Sequence, residues 1–253
     1  MKRFLIFALT VLFWRDALAY RLTREFADGF YWASLPVQFL VIDSDPQRLQ
    51  LLTQLANAAV TEWEEALVDN LWNVSGAASR PSSARNIIRW STRFGAETGL
   101  SESTTLAVAI RYTGGPYIAR GEIIINGSHP INSYPTHLKT VLVHELGHTL
   151  GLDHSDVASA VMAASLQTNY QGLHWDDEQG MSFTATETRR RQSIGYVTPI
   201  SQQEETTSSS ALGCGTVDLG DGGSGGGSPM LSLGLGLLLA LLALTGRFRS
   251  RLA

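Results

Sequence analysis

Apolar and polar positions fall into blocks along the chain, and the period changes from block to block. Pro36-Val37-Gln38-Phe39-Leu40-Val41-Ile42 is rich in β-branched and aromatic residues and closes on Asp43-Ser44-Asp45-Pro46, which predicts a strand and a turn. From Pro46 to Asn70 the period becomes helical. Leu49, Leu52, Ala56, Ala59, Val60 and Trp63 recur at three-to-four spacing, and Asp45 stands in front of Pro46 as an N-cap. Residues 73–84, rich in Ser, Ala and Gly, predict a loop. Three further strands are predicted within Ala84–Ser91, Thr104–Tyr112 and Arg120–Asn126, and a loop from Asn126 to Pro135.

A second helix is predicted from about Pro135, a good first-turn residue. Leu138, Leu142, Leu146 and Thr149 fall on one arc that should face the core, and His144 and His148 lie well round from it, toward a cleft. His137 shares their face two turns earlier and is read as a bystander. A last helix should open near Trp175, capped by Asp176 or Asp177.

The termini read differently from the body. Residues 1–19 have the form of a secretory signal peptide: Lys2 and Arg3, an apolar run from Phe4 to Trp14, and Ala17-Leu18-Ala19 as a cleavage site. The mature chain would then begin at Tyr20. Residues 20–200 are long enough for one catalytic-size domain with a real core. Residues 201–229, rich in Ser, Thr, Gln and then Gly, read as a flexible linker. Residues 230–253 carry an apolar run to Thr245 and then Arg247, Arg249 and Arg251, a short anchor whose arginines would stay cytoplasmic.

Composition narrows the partners. The chain is 44% hydrophobic and 17% charged, with a formal net charge of −4. Six of its 19 basic residues and one of its 23 acidic residues lie in the terminal segments, which leaves 13 against 22 and a body near −9. That argues against nucleic acid as a partner. Cys214 is the only cysteine, so no internal disulfide can form. Arg189-Arg190-Arg191 reads as a solvated helix end, with a processing site as the alternative.

The chemistry concentrates in His144-Glu145-Leu146-Gly147-His148-Thr149-Leu150-Gly151-Leu152-Asp153-His154, an HExxHxxGxxH pattern. His144 and His148, four apart on a helix, can share one metal ion. Gly151 can stop the helix in a left-handed conformation, and the chain can turn back to deliver His154 as a third ligand. Three nitrogen ligands with one position left open suit a catalytic zinc. Glu145 is placed to act as the general base. A bare HExxH would also fit a surface histidine pair. The added Gly151 and His154, with Met162 eight residues beyond, weigh against that.

The stretch from 136 to 164 resembles the metzincin metalloproteases, with Met162 in the place of their Met-turn methionine. Within that clan it is most similar to the matrixins, because Ser155 follows the third histidine directly. Position 164 is Ala, so no tyrosine ligand is expected. The resemblance implies an α+β fold: a twisted, mostly parallel sheet with an antiparallel edge strand, packed on active-site and backing helices, and a small C-terminal subdomain after the third histidine. It implies a zinc endopeptidase acting on extended polypeptide, Met162 as apolar flooring under the zinc, and calcium as a possible second cofactor. His129 alone does not make the extra structural zinc site of matrixins. The resemblance also implies that Gly121, Glu122, Ile123 and Ile124 form the substrate-edge strand. The continuous apolar run Ile123–Ile125 equally fits a buried strand. The C-terminus resembles a bacterial GlyGly-type sorting signal, cut by rhomboid-like sorting proteases, which implies export and cell-surface or extracellular placement. Two other functions stay open: a catalytically silent metal-binding surface or adhesion module, and an amidase acting on cell-wall peptide.

Overall fold

A computed structural model describes residues 19–197 and the backbone of 209–214. The signal-like segment 1–18, most of the predicted linker and all of 230–253 lie outside the described residues.

In chain order the elements are β1 (Arg21–Leu22), α1 (Arg24–Ala27), β2 (Tyr31–Trp32), β3 (Val37–Ile42), α2 (Pro46–Leu67), β4 (Trp72–Ala77), β5 (Ile87–Ser91), α3 (Phe94–Thr98), β6 (Ala107–Gly114), β7 (Tyr117–Asn126), α4 (Pro135–Thr149), β8 (Leu152–Asp153), α5 (Trp175–Ile194) and β9 (Ser209–Cys214). The main sheet runs β4-β3-β5-β7-β6-β9, with β2 also paired to β7. Strands β4, β3, β5 and β7 are mutually parallel, and β6 is antiparallel to β7. This is the mixed α/β architecture expected of a metzincin-like catalytic domain.

The local reasons are those in the sequence. Asp45 caps α2 by accepting from the Gln47 and Arg48 amides, with Pro46 in the first turn. Val68 closes it at φ 53°. One core joins Phe39 and Val41 of β3, Ile123 and Ile125 of β7, Leu52, Ala56 and Trp63 of α2, and Leu138, Leu142 and Leu146 of α4. Helices α2 and α4 therefore lie on the same face of the sheet. The other face carries a smaller cluster of Phe94, Val108 and Ile124.

Three expectations change. Residues 72–77, mostly inside the predicted loop, form β4, paired in parallel with β3 from Val37↔Trp72 to Ile42↔Ala77. Ser209–Cys214, inside the predicted linker, pairs antiparallel with β6. The third concerns Gly121, Glu122, Ile123 and Ile124. These lie in β7, which is flanked by β5 on one side and β6 on the other, so they are not an edge. The apolar run Ile123–Ile125 is buried on both faces, as in an inner strand. The antiparallel strand beyond it is β6. Among the described residues no helix is long and apolar enough to cross a membrane.

Candidate metal centre

Helix α4 is buried from Thr140 through Thr149, so the site is built on a fixed rod rather than a surface helix. Its last carbonyls have no partner within the helix. The sequence supplies partners from other elements. Trp32 Nε1 donates to Thr149 O at 2.7 Å, and Arg111 Nη1 donates to His148 O at 2.9 Å. Arg111, fully buried, also pairs with Glu25 at 3.0 Å, and its positive charge complements the negative end of the helix. Trp63 Nε1 donates to Val143 O at 2.9 Å, and Trp72 Nε1 to Thr149 Oγ1 at 3.0 Å.

Gly151 ends the helix at φ 109°, and a Cβ there would stand 2.6 Å from the Phe26 ring. Only glycine meets both demands. The chain then enters β8, which pairs with β1, and delivers His154. Gly147 has the opposite task. A side chain there would collide with Met162 Sδ, so its absence lets the methionine seat directly against α4.

His144, His148 and His154 bring one ligating nitrogen each within 4.8 Å of one another. His144 Nδ1 lies 2.6 Å from Val161 O, and His148 Nδ1 lies 2.7 Å from Leu152 O. A carbonyl only accepts, so both δ nitrogens carry the proton and both ε nitrogens present lone pairs. Those two ε nitrogens are 2.8 Å apart. Two acceptors cannot bond to each other, and a cation between them removes the repulsion. His154 Nε2 is buried without a hydrogen-bond partner. The donor set, three imidazole nitrogens, fits a catalytic zinc.

The electrostatics agree. Burial, with repulsion from His154, pushes the His144 imidazole down to about 3. Burial and the neighbouring imidazoles hold His148 well below the ordinary histidine range. Burial also lowers His154, against the pull of Asp153. All three are therefore kept neutral, the form that binds metal. Glu145 is fully buried beside His144.

The segment after His154 is fastened by the first turn of α5. Asp177 Oδ2 accepts from the Val161 amide at 2.8 Å and from the His174 amide at 2.9 Å, and Oδ1 accepts from the Met162 amide at 3.1 Å. Asp176 Oδ2 accepts from Ser155 Oγ at 2.6 Å, and Oδ1 accepts from the amides of Ala19 and Tyr20 at 3.0 and 2.9 Å. The Ser155 amide in turn donates to Met162 O at 2.8 Å. The helix cap is His174, in a reciprocal box with Asp177, rather than either aspartate alone.

Other expected residues sit elsewhere. His137, two turns before His144, stacks edge-on against Tyr134 and is not among the three clustered histidines. His129 is buried and caps a short 3-10 turn through the Ile131 amide. Arg189 pairs with Asp69 and Arg190 with Glu187, while Arg191 donates to the carbonyls of Phe26 and Phe30. Arg189 and Arg190 are thus exposed at the helix end, as the sequence reading has them, and only Arg191 is buried. Residues that sequence reasoning missed are Arg111, Trp32 and Trp72. For Arg111 a signal existed: a charge inside the apolar run Ala107-Val108-Ala109-Ile110 needs a buried partner.

Residues 59–183 match the family model described as Matrixin, a span that includes His144, Glu145, His148, His154 and Met162. No curated protein matches the chain.

Proposed function

We propose, from the premise that this chain is a metzincin-like zinc metalloendopeptidase, that it hydrolyses extended polypeptide outside the cytoplasm. The observation carrying this reading is the pair of lone-pair-bearing ε nitrogens on His144 and His148, held 2.8 Å apart by carbonyls that fix both tautomers, with His154 turned toward them. His144, His148 and His154 would hold the zinc. Bound there, zinc would supply a Lewis acid that polarises the scissile carbonyl and makes the attacking water more acidic.

The remaining work falls to the chain. Glu145 takes a proton from the attacking water and returns it to the leaving amine. The Nδ1–H bonds to Val161 O and Leu152 O orient the two helix imidazoles and raise their basicity. Met162 floors the site against α4, and Asp177 holds the turn that carries it. Substrate backbone pairs with the outer edge of β6, the strand beside α4, so that recognition rests on main-chain groups.

Export follows the terminal patterns. Residues 1–19 direct secretion, and the tail 230–253 tethers the body at the outer membrane face until a sorting protease removes it. Mass spectrometry of fragments from casein and from cell-wall peptide tests the substrate class. Cleavage within casein supports the reading, and release of cell-wall peptide alone would replace it with the amidase.

A further inference from the structure

The sheet does not end at β6. Residues 209–214 lie along its outer edge, antiparallel, in unbroken register from Tyr112↔Ser209 to Ala107↔Cys214. This edge borders the metal centre. Ala107 and Leu106 cluster with Val141 of α4, Ala109 belongs to the main core, and Arg111 reaches His148 O. Register positions 214, 212 and 210 stand opposite Ala107, Ala109 and Arg111, the positions of β6 that face α4. We propose that this segment is a built-in competitor: it occupies in cis the β6 edge along which substrate must pair, and holds the enzyme in check.

Three features of the chain support it. An open edge beside a peptide-cleaving site would bind any extended backbone, and the segment pairs in register with six consecutive residues of that edge. Ser209-Ser210-Ala211-Leu212-Gly213-Cys214 contains no charge and no proline, the devices that usually keep a strand from adding to an edge. The connection is long enough to be intramolecular. Helix α5 ends at Ile194 and β9 begins at Ser209, and that stretch can span up to about 50 Å. A tether of this kind gives an effective concentration in the millimolar range, enough for a weak hexapeptide to compete with dilute substrate while still yielding to a better one.

The inference rests on the proposed peptidase function, and its test separates the two. Ala211→Pro and Leu212→Pro are made singly in the full, zinc-loaded chain. Strand N–H groups alternate in direction, so one of the two faces β6 and its loss breaks the ladder. Hydrogen exchange should show the alternate amides of 107–112 and 209–214 that face each other protected in the wild type and released in that variant, while the amides of β6 that face β7 stay protected in both. In the same variant KM for a peptide substrate should fall about threefold to tenfold with kcat little changed, as expected when an intramolecular competitor is removed. A synthetic peptide of residues 207–216 should restore the higher KM competitively. No protection of those facing amides at 209–214 in the wild type would overturn the proposal. So would an unchanged KM in both variants while the wild type turns over. If no form turns over peptide, the peptidase reading falls and inhibition with it, and the exchange data still report whether 209–214 holds the edge.

Discussion

The Asp177 carboxylate accepts the Met162 amide at 3.1 Å and, through its other oxygen, the Val161 amide at 2.8 Å. Val161 O in turn receives His144 Nδ1 at 2.6 Å. One side chain in the first turn of α5 therefore sets the position of a histidine on α4. Burial pushes the Asp177 carboxyl up, and the three backbone N–H groups work against that. Asp177→Asn replaces one acceptor oxygen with an amide NH2 that faces backbone N–H donors. It should cost about 2–3 kcal/mol of stability and weaken zinc affinity about tenfold. Urea denaturation and a competitive zinc chelator measure the two effects, and unchanged zinc affinity would break the proposed linkage.

Arg111 is the second support. Replacing it with Met leaves buried Glu25 without the guanidinium and His148 O without its donor. A buried pair broken from one side costs about 3–5 kcal/mol. Thermal unfolding of Arg111→Met should show that loss, and a double variant Arg111→Met, Glu25→Gln should recover part of it. No recovery would mean that the pair is not the cause.

Metal-stripped protein should be sensitive to mild acid. His144 titrates near 3 in the folded state and His148 also lies far below its ordinary value, whereas both return to about 6.5 on unfolding. Between those limits the unfolded chain binds more protons, so stability is complete above pH 6.5 and falls as pH drops toward 3. The slope is about 1.4 kcal/mol per pH unit for each histidine. The urea midpoint of the apo protein at pH 5 should lie well below that at pH 7.5. Equal midpoints would show that the imidazoles are not buried in the neutral form.

The amide of Tyr20 donates to Asp176 at 2.9 Å, and Asp176 is fully buried. If export cuts after Ala19, the Ala19 amide that donates to the same oxygen at 3.0 Å is lost, and the new Tyr20 ammonium offers the carboxylate several donors and a full charge in its place. A chain beginning at Tyr20 should then be more stable than one carrying Ala19 and further residues by about 1–2 kcal/mol. The difference should vanish in Asp176→Asn. A difference that persists in that variant would place its origin elsewhere.

Much of this site is legible in the sequence. His144, Glu145, His148, Gly151 and His154 carry their chemistry in their spacing, and Asp45-Pro46 announces its helix start by local bonding alone. What was not legible depends on neighbours distant in sequence. Trp72-Asn73-Val74-Ser75-Gly76-Ala77 has weak strand character and becomes β4 because β3 offers it an edge. The choice between β6 and β7 as the outer strand is a matter of pairing order. The run Ile123–Ile125 did favour an inner strand, and the family analogy pointed the other way. Arg111 and Trp32 act on carbonyls 37 and 117 residues away, which no local window can reveal.

The central claim is that the three histidines hold zinc and Glu145 moves the proton. Zinc content and casein cleavage, measured together on wild type and Glu145→Gln, test it most directly. The account predicts about one zinc per chain in both proteins, with turnover lowered about 100-fold or more in the variant. Folded protein that takes up no zinc, or a variant that cleaves as fast as the wild type, would contradict it.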